Sequence, residues 1–190
     1  MTSGQVMMTV MAMFLLGTII LSTNSTLLNN EQIVMDSEFG VAAISLATSL
    51  VEEAQGKAFD NASVDIGVDS LSSLTPWSKL GRDSLEYYRY QPSGPADTLK
   101  HDFDDIDDYN NFSIEFVNDT TKPKIAQYRG ESKGFRADYF VRAKVQYVNV
   151  TNSLIDTTTS KTWHKKLTVT VTSPTSRDTL VFPTIMSYWN

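Results

Sequence analysis

No lysine or arginine occurs in the first 56 residues, and within them an apolar run extends from Val6 to Leu21. The first basic side chain is Lys57. A secretory signal or an ordinary membrane anchor carries Lys or Arg beside its apolar stretch, because positive charge sets its orientation. Here the flank is Met1-Thr2-Ser3-Gly4-Gln5, neutral apart from the terminal amine. Two readings follow: a charged leader has been removed, or the segment is made to lie against other protein. The run is interrupted only by Thr9, Gly17 and Thr18, and it falls short of the about 20 apolar residues that a bilayer core asks of a helix. It is apolar on all sides, so it must be buried all round, in lipid or in protein.

The helical pattern continues past Leu21. From Ser22 to Gln55 there is no proline, and Gly40 is the single glycine. Leu27, Val34 and Val41, then Phe39, Ala42, Leu46 and Leu50, recur at the spacings of one helix face. Gly56 is a suitable stop, since glycine tolerates the left-handed conformation that closes a helix. A helix from about residue 5 to 55 would be about 75 Å long at 1.5 Å per residue. No small domain buries such a helix along its length, so its second half is expected to pack on a domain and its first half to project. The expected organisation is an N-terminal assembly or transmembrane helix over 1–56 and a globular head over 57–190.

After Gly56 the chain becomes loop-rich up to about residue 135. Tyr139–Val148 then alternates apolar and polar residues with the period of a half-buried strand, as does His164–Thr172. The polar stretch Thr151–Ser160 between them reads as a hairpin loop. Phe112–Val117 and Thr179–Ser187 are further strands, and Pro183 puts the latter on an edge or at a bulge. The fold class is α+β: a long N-terminal helix on a C-terminal antiparallel sheet.

The chain has 22 acidic and 16 basic side chains, a formal net charge of −6. That balance argues against nucleic acid as a primary partner, which calls for a basic patch. Without cysteine there is no disulfide framework and no thiolate chemistry. Five Asn-X-Ser/Thr triplets, at Asn24, Asn61, Asn111, Asn118 and Asn149, are candidate glycosylation acceptors. His101 and His164 fall in no metal-ligand spacing, and no Gly-X-Ser-X-Gly occurs, so no enzyme is expected. The run Asp102, Asp104, Asp105, Asp107, Asp108 supplies oxygens of the kind that calcium takes, but lacks the glycine and final glutamate of an EF-hand loop. A solvated acidic loop, or one pairing with Arg129, Lys133 or Arg136 of a neighbouring subunit, is the expectation; calcium is the one cofactor considered. Trp77, Tyr87, Tyr88 and Tyr90 read as core or subunit interface, and Tyr188-Trp189 as a docked tail.

Three motifs in order resemble those of type IV pilins, in particular pilin-like proteins of the PilV/MshD kind. Ala42–Asp60 resembles their helix end, where small residues run into an acidic pair (Glu52-Glu53) and a Phe-Asp turn (Phe59-Asp60). Asp104–Asn110 resembles their Asp-Asp-Tyr loop, and Lys166–Pro174 their C-terminal strand. The resemblance implies a structural subunit of an extracellular filament, polymerising with identical subunits. Such proteins are cut by a prepilin peptidase, held in the inner membrane by the apolar half-helix, and passed by an assembly platform into a filament. The family's alternatives are a minor pilin or pseudopilin of a secretion or DNA-uptake machine; outside it stands a membrane-anchored extracellular binding domain.

On this reading the assembly residues are Met1, Gln5, Val6, Met7, Met8, Val10, Met11, Met13, Phe14, Leu15, Leu16, Gly17, Ile19, Ile20 and Leu21. If Met1 is the mature start, the family's glutamate position holds Gln5; if the chain is cut after Gly4, it holds Thr9. Met1 is preferred, because Thr-Ser-Gly without a basic residue would be an odd leader. Either way a carboxylate is missing where the family pairs one with a neighbour's terminal amine. No proline kinks the apolar half, which leaves Gly17 as the expected place for the helix to loosen.

Overall fold

Absence of proline and a supply of Met, Leu and Ala, none of them branched at Cβ, let one helix, α1, run unbroken from Ser3 to Gln55 in the computed structural model. It closes at Gly56, whose N–H bonds the carbonyls of Glu52 and Glu53, each at 3.2 Å. The structure describes residues 2–89, 100–117, 121, 123–131, 137–151, 154–174, 176 and 178–189. Met1, Tyr90, Asn118, Lys133 and Arg136 lie outside the described residues.

By its contacts the chain divides into two units, Met1–Val41 and Ala42–Asn190. The second begins with the C-terminal part of α1. There Ala43, Ala47, Leu50 and Ala54 recur every three or four residues and are buried. Three of the four are alanines, so the helix can approach its neighbours closely. Its end is fixed through Glu53, whose carboxylate accepts from Tyr109 Oη (2.9 Å), Tyr88 Oη (3.2 Å) and Arg89 (2.9 Å).

After three short 3-10 turns come two minimal strands, β1 (Glu86–Tyr87) and β2 (His101–Asp102), paired in parallel. The main sheet comprises β3 (Phe112–Val117), β4 (Tyr128–Glu131), β5 (Tyr139–Thr151), β6 (Leu154–Thr157), β7 (His164–Thr172) and β8 (Thr179–Ser187). Its order is β4-β3-β5-β7-β8, with β6 paired to the end of β5. Every pair is antiparallel except β3–β4. Val141, Val145, Leu167, Val169 and Val171 form the buried face that the alternation predicts. β3, β7 and β8 span the expected residues, and Pro183 sits in β8, an edge of the sheet.

Two expectations need correction. The stretch Thr151–Ser160 is not all loop: Leu154–Thr157 is a strand, exposed throughout and therefore without the alternation that reveals β5. Among the described residues the tail is docked through Tyr188, whose Oη accepts from the Val68 amide and whose ring stacks on Trp163; Trp189 is 87 % exposed.

Candidate functional site

The segment Val6–Leu21 presents a continuous apolar surface. Each of its large side chains is exposed, and Leu27, Val34 and Val41, expected on a covered face, are exposed as well. Among the described residues α1 is the helix long and apolar enough to cross a membrane, and its most apolar window has nothing buried. A membrane anchor and an N-terminal signal sequence both meet that description. Its polar atoms are satisfied locally, as apolar surroundings require. The hydroxyls of Thr9, Thr18, Thr23 and Thr26 donate to carbonyls three or four residues back, at 2.8 to 2.9 Å. Gln5 Oε1 accepts from the Thr2 amide at 3.3 Å, so within one chain it caps the first turn. A side chain added at Gly17 would meet nothing within 4 Å.

In the second unit, three separate stretches of sequence converge on one buried ammonium. Lys165 on β7 falls in the inward phase with Leu167, Val169 and Val171, and its side chain is 0 % exposed. Its Nζ donates to the Phe59 carbonyl and to Asp60 Oδ2, both at 2.8 Å, and lies 2.7 Å from Asp107 Oδ1. The rings of Phe59 and Tyr147 stand 4.5 and 5.2 Å from it. Asp60 also accepts from Thr75, from the Ala62 amide and from Tyr147 Oη. The Phe-Asp turn, the Asp-Asp-Tyr loop and the C-terminal strand region thus meet at Lys165.

The acidic loop is not the solvated feature expected. Asp105, Asp107 and Asp108 are buried; Asp104 is half-buried and Asp102 exposed. Their carboxylates fold the loop itself: Asp105 Oδ1 accepts the amides of Asp107 and Asp108, and Asp108 Oδ2 those of Asp104 and Asp105. The buried three are therefore out of reach of a neighbour's arginine, and Arg129 pairs with Glu115 of its own chain. The ion pair between Lys165 and Asp107 Oδ1 lacks hydrogen-bond alignment, and Asp107 Oδ2 has no hydrogen-bond partner among the described residues.

Burial pushes Asp105 up to about 8, with the Asp107 charge adding to it, and pushes Asp107 up to about 7 against the pull of Lys165. Burial would raise Asp60 too, but the Lys165 charge and the bonds from Lys165, Thr75 and Ala62 outweigh it and hold Asp60 below the usual range. The folded chain therefore binds more protons at Asp105 and Asp107 than the unfolded chain, from the ordinary value of 3.8 up to 7 or 8. Stability falls as pH rises through that window. Asp60 acts oppositely: its contribution is present above the ordinary carboxylate range and is lost as pH falls below it. Asp105→Asn keeps the acceptor oxygen and removes the charge, so it should raise the melting temperature at pH 8 and flatten the decline between pH 4 and 8. An unchanged slope in thermal melts would show that Asp105 does not carry it.

Of the candidate acceptors, Asn24, Asn61, Asn111 and Asn149 are exposed. Asn61 already donates its amide to Asp83, and Asn111 has a φ of 58°, a left-handed conformation that asparagine tolerates. His164 Nδ1 lies 2.7 Å from Ser187 Oγ. No motif in the sequence singles out Lys165 as a site residue, although its phase in β7 marks it as inward-facing. No protein-family model, curated protein or solved structure matches the chain.

Proposed function

We propose that this chain is a structural subunit that polymerises through its N-terminal helix into an extracellular filament of the type IV pilus kind, held in a membrane by the same helix before assembly. The observation that carries the reading is the helical segment Val6–Leu21, exposed all round with its hydroxyls bonded to its own backbone. Covering a large apolar side chain is worth about 1.5–3 kcal/mol, so water is not the medium for this surface. In lipid that gain is already realised. Passage from lipid to a helical bundle then depends on close packing, which Gly17, Ala12 and Thr18 permit and the adaptable Met7, Met8, Met11 and Met13 fill.

The test is electron microscopy of filaments sheared from cells that make the chain, with mass spectrometry of the purified fibres. Fibres built of this chain are expected. Its presence in the membrane fraction and absence from every fibre would replace the reading with a membrane-anchored binding domain, and a trace at fibre ends with a minor pilin. Gly17→Leu sharpens the test. The isolated subunit has room for the new side chain, so its melting temperature should be unchanged, whereas filament yield should fall severalfold through lost helix–helix approach. Normal yield from Gly17→Leu would remove Gly17 from the packing surface.

A further inference from the structure

β1 and β2 are two residues each, too short for backbone pairing alone to hold them, and their parallel register places Glu86 directly opposite His101. The side chains at this junction therefore decide whether it holds. His101 Nδ1 lies 3.8 Å from Glu86 Oε1 and 3.7 Å from Asp104 Oδ2, and one ligand atom from each of the three residues falls within 4.8 Å of the others. Around a tetrahedral zinc with bonds of about 2.0 Å, neighbouring ligand atoms stand about 3.3 Å apart. Two edges of the triangle thus need to close by only a few tenths of an ångström.

We propose that Glu86, His101 and Asp104 form a zinc site that ties β1 to β2 and to the aspartate loop. Proximity of acids is not the whole argument. The Glu86 side chain is 4 % exposed, and the one hydrogen bond given to its carboxylate among the described residues comes from the Asp83 amide, to Oε2 at 3.0 Å. Asp108 is close enough to bond it as well, but only by carrying a proton. Asp104 Oδ1 is shut off from solvent and has no hydrogen-bond partner among the described residues. Negative charge is in excess here: Asp83, Glu86, Asp104 and Asp108 gather against Lys57, Arg82 and His101. A buried carboxylate beside an imidazole, with a second, half-buried carboxylate that keeps one oxygen unanswered among the described residues, is an arrangement a divalent cation completes.

The donor set selects the metal. One imidazole and two carboxylates suit zinc, whereas calcium takes six to eight oxygens and magnesium keeps most of its water. The His101 side chain is 51 % exposed, which opens a route for the ion and leaves room for water as a fourth ligand. His101 Nδ1 stands 3.2 Å from the Asp102 carbonyl. Ligation requires the lone pair at Nδ1, so the ring proton moves to Nε2 and the contact with Asp102 is given up.

The site does not depend on filament assembly and is tested on the full chain in detergent micelles. Calorimetric titration with zinc chloride should show one saturable site per chain. The melting temperature should rise in zinc relative to EDTA, with no comparable rise in equal calcium or magnesium. His101→Ala and Asp104→Asn should each weaken zinc at least tenfold. His164→Ala should bind zinc as the unaltered chain does, and the half-exposed His101→Ala should melt normally in EDTA. Absence of saturable zinc binding, undiminished affinity in His101→Ala, or an equal loss in His164→Ala would each overturn the assignment.

Discussion

Replacing Lys165 by methionine should destabilise the second unit by about 3–5 kcal/mol, the range for removing one partner of a buried ion pair. Methionine keeps most of the stem volume, so the loss is one of charge and hydrogen bonds rather than of a cavity. The ammonium is 0 % exposed, donates to the Phe59 carbonyl and Asp60, and is the cation that faces Asp107. Without it two buried carboxylates face each other with Asp105 close behind, and a carbonyl loses its donor. A typical domain has about 5–15 kcal/mol in all, so a fifth or more of the stability is at stake. For a unit of this size, 3–5 kcal/mol corresponds to a fall of about 6–20 °C in melting temperature. Fluorescence of Trp163, stacked on Tyr188, is a convenient probe of the unit's unfolding.

A merely structural lysine would give the same fall at every pH. Here the deficit should shrink as pH falls through about 7, the value of Asp107 with Lys165 in place, because the stranded carboxylates then take up protons and cease to repel. Adding Asp107→Asn to Lys165→Met should restore part of the loss, a coupling that a double-mutant cycle isolates. A Lys165→Met protein that melts within a degree or two of the unaltered chain would mean that the carboxylates neutralise themselves by sharing protons and that Lys165 is dispensable.

Much of this arrangement was legible in the sequence, and what was not has identifiable causes. β7 has the residues that alternation assigns it, since Leu167, Val169 and Val171 on one of its faces meet the core. The same alternation places Lys165 in the core beside Leu167, but a lysine next to Lys166 reads as surface until its partners, 58 and 105 residues earlier, are brought to it. β6 carries no alternation because both its faces are exposed. The parallel pairing of β4 with β3 turns on Gly130, where an added side chain would come within 2.7 Å of the Phe116 ring; a lone glycine in a loop-rich stretch gives no such warning. The aspartate loop misleads because its composition is that of a surface, while the carboxylates of Asp105 and Asp108 are used up by the backbone amides they fold around. Glu86 and His101 are brought opposite each other by a strand pair too short to be seen in a periodicity.

Leu15→Asp is the change expected to affect the first unit most. Leu15 lies inside the apolar run and its side chain is exposed in the single chain, so the substitution leaves the fold of the second unit untouched. Its effect falls on whatever the run is buried in. At the centre of a membrane span an aspartate costs about 3 kcal/mol relative to leucine, more than a 100-fold shift in partition. In a bundle of identical helices the penalty recurs at every subunit, and the sequence offers no basic residue within the first 56 to answer it. The expected result is a chain that is lost from the membrane fraction and from fibres, yet melts as before when purified in detergent. Leu15→Met, which keeps the apolar volume, should be close to neutral in all three measurements. If Leu15→Asp chains still assemble, the run is not buried in the filament; if they stay in the membrane but are lost from fibres, burial in protein rather than lipid is what the segment is made for.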